Sequence, residues 1–100
     1  MIDFSHAVHD LDGEPMKDPA GKVVTIGSLV ETALMLPYDD ERNLAGEEKV
    51  HRAVLAMRIH AGPVELTAED IALCKKTVGK AYPPLTVMRV WEVLDPASVK

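Results

Sequence analysis

Apolar residues recur along this chain with two rhythms, and the change between them falls near Thr25. After it the spacing is helical. Ile26, Leu29, Val30 and Ala33 lie three or four apart, Thr25 is suited to cap the first turn, and Pro37 stops the run at or just before Leu36. A second helix is predicted from Gly46 to Ala61, with Glu47 and Glu48 at the positive end of its dipole and Gly62-Pro63 as its stop. This helix carries two apolar sectors. Val50, Ala53, Val54, Met57 and Ala61 share one face, and Leu55 and Ile59 lie nearly opposite. A surface helix needs only one stripe. The second sector predicts burial between layers or contact with a partner, which makes Leu55 and Ile59 the candidate partner-binding residues and self-association a candidate outcome.

Thr67-Ala68-Glu69-Asp70 reads as a capping box with Asp in place of Glu or Gln, and it opens a third helix that runs to about Ala81. Ile71, Cys74, Val78 and Tyr82 form its stripe. Pro83-Pro84 breaks the chain, and Pro84 can occupy the first turn of a fourth helix, where no amide proton is needed. Val87, Val90, Trp91 and Leu94 form the last stripe, with Trp91 as the expected core anchor. Asp95-Pro96 ends it, leaving residues 95–100 as a flexible tail.

Residues 1–25 follow the other rhythm. Asp12-Gly13 and Asp18-Pro19-Ala20-Gly21 are turn signals, and Lys22-Val23-Val24-Thr25 is β-branched and strand-like. These features predict a small hairpin or three-stranded meander packed on the helices, without an internal repeat. The expected fold is therefore α+β: one domain over residues 1–100, with a β-hairpin region at 1–25 and four helices within 26–94.

Composition narrows the function. The formal net charge of −5 opposes the basic face with which proteins neutralise duplex phosphates. One cysteine, Cys74, allows no intrachain disulfide and no cysteine zinc site. The first residues lack the basic and apolar regions of a signal peptide, and no apolar run approaches the roughly 20 residues that span a bilayer. A cytoplasmic protein of a bacterial host cell, without a membrane partner, is expected; association with a virion is compatible with the same features.

The polar residues assemble no recognisable chemistry. His6, His9 and Asp10 are metal-ligand types, but they fall in an extended or irregular stretch that gives them no common face. Asp10, Asp12 and Glu14 resemble the start of a calcium loop, which fails because its sixth position is Pro15 and its twelfth Gly21. Cys74 sits on an apolar stripe, as a packing residue does. Asp39-Asp40-Glu41 reads as a solvated loop. No catalytic, cofactor-binding or metal-binding residue is assigned. Lys75, Lys76, Lys80 and Arg89 form the one cationic set that could touch phosphates, but the helix after Pro83-Pro84 shows Val, Met and Trp where a recognition helix shows polar side chains.

Three segments, DLDGEPMKDPAGKVVTIGSLVETALM, LAGEEKVHRAVLAMRI and VELTAEDIALCKKTVGKAYPPLTVMRVWEVL, together resemble a group of small tailed-phage and prophage proteins of unassigned function, over about Leu11 to Leu94. Ala45 stands where that pattern has a Ser cap, and Met88-Arg89 where it has Gly-Gln. The resemblance implies a phage or prophage origin and transfers no catalytic residue. The expected function is a non-enzymatic protein-interaction module, an assembly or host-modulating factor. The alternative is a nucleic-acid-binding regulator using Lys75, Lys76, Lys80 and Arg89.

Overall fold

The computed structural model describes residues 1–99; Lys100, the end of the expected tail, lies outside them. Four α-helices form the body: α1 (Ile26–Met35), α2 (Gly46–His60), α3 (Ala68–Ala81) and α4 (Pro84–Leu94). α1 is the central element and packs against each of the other three, with α3 also against α4. The reason lies in its composition. Ile26, Gly27, Val30, Ala33 and Leu34 are all buried, and the helix has only one charged side chain, Glu31. Val8, Val30, Leu55, Cys74, Val78 and Val90 belong to the single core cluster around it.

The helix boundaries follow local chemistry. The Thr25 hydroxyl accepts the Ser28 amide at 3.2 Å, a cap worth about 1 kcal/mol. The next free amides of α1 are also used: Ile26 N donates to the His6 carbonyl and Gly27 N to that of Phe4. Gly27 suits this close approach, because a Cβ would sit tightly against Phe4, at 3.1 Å. The capping box of α3 closes in both directions between Thr67 and Asp70. Pro84 begins α4, as its missing amide allows. At the other end of α1, the Tyr38 hydroxyl lies 2.6 Å from the Ala33 carbonyl and 3.1 Å from that of Thr77 in α3. Tyr82 of α3's end donates to Leu29 at 2.6 Å. The two tyrosines thus stitch α1 to α3.

The expected α+β fold with an N-terminal hairpin is not what residues 1–25 form. Among the described residues there is no strand and no sheet; pairing is limited to isolated bridges, including His9 with Pro15 and Lys17 with Val23. The region is instead an eight-residue repeat, Val8-x-Asp10-x-x-Gly13 followed by Met16-x-Asp18-x-x-Gly21, and then Val24. In the first unit Asp10 Oδ1 accepts the amides of Asp12 and Glu14 at 2.9 and 3.0 Å. In the second, Asp18 Oδ1 accepts those of Ala20 and Lys22 at 3.0 and 2.9 Å. Gly13 and Gly21 close the turns with φ of 82° and 84°, a left-handed conformation that costs other residues about 1–2 kcal/mol.

Each turn consumes most of its repeat, and the segments left between turns are too short for a ladder, since ordinary strands run to about five or six residues. The three central residues close a ring. Val8 N donates to Val24 O at 2.9 Å, Val24 N to Met16 O at 2.9 Å, and Met16 N to Val8 O at 2.7 Å. Val8 is fully buried, and Met16 and Val24 pack against the core beside it. Arg89 of α4 fastens the first turn by donating to the His9 and Asp10 carbonyls at 3.0 and 3.1 Å. The expected tail begins with a single 3-10 turn, Pro96–Ser98, against α4.

Candidate functional site

The two apolar sectors of α2 have opposite environments. Leu55 is 1% exposed and Ile59 3%, both inside the core. The partner-binding assignment to Leu55 and Ile59 is therefore corrected: α1 covers them within the same chain. Val50, Val54 and Met57, on the face opposite, are 62%, 49% and 72% exposed. With Ala53 and Ala61 they form a seam three or four residues apart along the helix.

The inward sector of α2 also holds an ion pair. Arg52 is 4% exposed and shares the inward sector with Leu55 and Ile59. Its guanidinium grips Glu41 with two parallel bonds, Nη1 to Oε1 at 2.9 Å and Nη2 to Oε2 at 2.8 Å. Lys76 and Lys80 of α3 reach the same Glu41 oxygen at 3.2 and 3.5 Å. The Arg52 hydrogen bonds hold the Glu41 carboxyl at about 2, well below its ordinary 4.5, with Lys76 and Lys80 acting in the same direction. One atom of the set, Arg52 Nε, is buried without a hydrogen-bond partner; a Glu48 carboxylate oxygen is 4.0 Å away. On the other edge of α2, His51 and Arg58 flank Asp70 of α3 at 3.2 and 3.8 Å.

Beside the seam runs a groove of about 480 Å³ between the end of α1, the 38–45 connection and the start of α2. Met35, Leu36, Leu44 and Ala53 supply apolar wall, and Arg42 and Lys49 stand among its lining residues. Ala53 belongs to both surfaces and makes them continuous. Among the described residues neither Arg42 nor Lys49 has a carboxylate within ion-pair distance, in contrast to Arg52, Arg58, Lys75, Lys76, Lys80 and Arg89.

The four cations expected to touch phosphates each have an acidic neighbour. Lys75 pairs with Asp95 at 2.9 Å and lies 4.4 Å from the centre of the Trp91 ring. Lys76 is committed to Glu41, Lys80 to Asp40 and Glu41, and Arg89 to Glu92 and two backbone carbonyls. The four are not presented as free charges on one face. Trp91 is half-buried at the rim of the core rather than a fully enclosed anchor, its indole N–H donating to the Lys75 carbonyl at 3.3 Å.

The remaining candidates are dispersed. Asp10 spends Oδ1 on its own turn, and His6 is an exposed side chain 4.0 Å from Asp3. Among the described residues no three His, Cys, Asp or Glu side chains are grouped to hold a metal. Cys74 is fully enclosed, and burial pushes its thiol up to about 12, so the nucleophilic thiolate is scarce at neutral pH. No helix among the described residues is long and apolar enough to cross a membrane. The sequence signal for the groove is weak, because Arg42 and Lys49 look like any surface cations until their lack of partners is visible in three dimensions.

No protein-family model, no curated protein and no solved structure matches this chain.

Proposed function

We propose that this chain is a non-enzymatic protein-interaction module of tailed-phage or prophage origin, and that the outward face of α2 is where it docks its partner. The observation that carries the reading is the uncovered seam of Val50, Val54 and Met57 on a helix whose opposite face is already buried. Apolar side chains scattered singly over a surface need no explanation, but a continuous patch beside a groove marks interaction sites. The dispersal of the titratable side chains into caps, turns and ion pairs supports a role without catalysis. The phage origin rests on the three segments resembling small phage proteins.

Site-specific photo-crosslinking tests the docking face. A photoreactive residue is placed at position 54 or 57 of the full chain in the producing cell, with exposed Lys22 as the control position. Adducts from positions 54 and 57 but not 22 are expected. Absence of adducts at both α2 positions contradicts the reading, and adducts at twice the chain mass identify self-association.

A further inference from the structure

The groove and the seam together describe the chemistry of their occupant. We propose that they receive an amphipathic, acidic helix of a partner protein, with its apolar face on Val54, Met57 and the Ala53 groove and its carboxylates against Arg42 and Lys49. This rests on the docking role of α2 and adds what the partner must look like.

The first support is charge. The protein carries a net charge of −5, and most cations of its helical body are paired internally. Arg42 and Lys49 are unpaired among the described residues and share one apolar groove. Of the groove's two carboxylates, Glu41 is spent on Arg52, Lys76 and Lys80, which leaves Asp39 as the single unpaired anion against two unpaired cations. Cations beside an apolar cleft complement a segment that is apolar on one side and acidic at its edges.

The second support is shape. At 100° per residue, Lys49 and His60 flank one side of the seam, and His51 and Arg58 the other. His51 and Arg58 are held by Asp70 and His60 by Glu31, so of these four side chains Lys49, on the groove side, is the one without a carboxylate partner among the described residues. A partner helix with an acidic edge meets the opposite sign at Arg42 and Lys49, along the groove side of the seam. A groove of about 480 Å³ lies within the roughly 300–1,000 Å³ typical of ligand clefts and has room for a few anchoring side chains.

The test uses two designed helical peptides of about 16 residues, comparable in length to α2. They share one leucine seam; one carries Glu at the flanking positions and the other Lys. Each is titrated into the full-length protein with methyl-labelled Ala, Val and Met. The Glu peptide is expected to shift the Met35, Ala53, Val54 and Met57 signals. It should bind about tenfold tighter than the Lys peptide, equivalent to about 1.4 kcal/mol, and lose that advantage in high salt. The double variant Arg42→Glu/Lys49→Glu should invert the order while keeping the melting temperature of the wild type. Equal binding of both peptides overturns the proposal even where crosslinks at position 54 uphold docking on α2. Loss of those crosslinks instead removes the docking role itself. Shifts confined to α4, or none with the Glu peptide, also overturn the proposal.

Discussion

The inward and outward sectors of α2 differ little in composition and completely in fate. Leu55 and Ile59 turn into the core and Val50, Val54 and Met57 turn to solvent, yet either set alone would satisfy the apolar stripe that a surface helix needs. The inward sector also carries the charged Arg52. Its position between the inward residues is acceptable only because Glu41, from a different part of the chain, meets it with a bidentate pair. The lesson is that a helix with two apolar sectors can bury one of them together with a compensated charge and leave the other in solvent.

The comparison breaks most severely at Leu55. Leu55→Lys removes packing and buries a charge, with an expected cost above about 4 kcal/mol against a total domain stability of about 5–15. Thermal unfolding should lose its cooperative transition, and it should do so independently of protein concentration, because the residue is covered within one chain. The buried Arg52–Glu41 pair comes next. Glu41→Gln leaves Arg52 charged and enclosed without its counterion, an effect of about 3 kcal/mol that denaturant titration at neutral pH would read.

Acid sharpens the same point. The Glu41 carboxyl titrates lower in the folded state, at about 2, than its ordinary 4.5. Its stabilisation is therefore fully present above about pH 4.5 and is lost as the pH falls toward 2. The wild type should show this acid limb in stability against pH, and Glu41→Gln should flatten the part that belongs to this group.

Smaller effects belong to the N-terminal repeat. Gly13→Ala and Gly21→Ala should each cost about 1–2 kcal/mol, and the two costs should be nearly equal because the turns have the same hydrogen bonds and the same φ. The smallest effect is expected on the outward sector. Val54→Lys and Met57→Lys should change stability by less than about 0.5 kcal/mol, measured by thermal melting, while abolishing partner crosslinks.

The helices were legible because their signals are local. Thr25, Pro37, Gly62-Pro63, Thr67 with Asp70, and Pro84 each act within a turn or two, and the observed ends fall within a residue or two of the expected ones. The N-terminal region was misread for a physical reason. Its β-branched and turn residues fit a hairpin, but what organises it is a period of eight, carried by Val8 and Met16, Asp10 and Asp18, Gly13 and Gly21. That repeat is visible in the letters once helical and strand periods are set aside. The choice between the sectors of α2 was not legible, since Arg52 meeting Glu41, and Arg42 and Lys49 meeting no carboxylate, show only in the fold. The surroundings of the cationic set were hidden in the same way: adjacency in sequence gives Lys75, Lys76 and Lys80 a shared sign, and only the fold shows Asp95, Glu41 and Asp40 beside them.

Solvent paramagnetic relaxation of the α2 side-chain methyls, recorded over a dilution series of the free protein, tests the contrast between the sectors most directly. A soluble nitroxide should broaden the Val50, Val54 and Met57 methyl signals strongly and leave those of Leu55 and Ile59 sharp at every concentration. Equal protection of both sectors would contradict the account by showing the outward face covered. Equal broadening would contradict it by showing that Leu55 and Ile59 are not enclosed by the core.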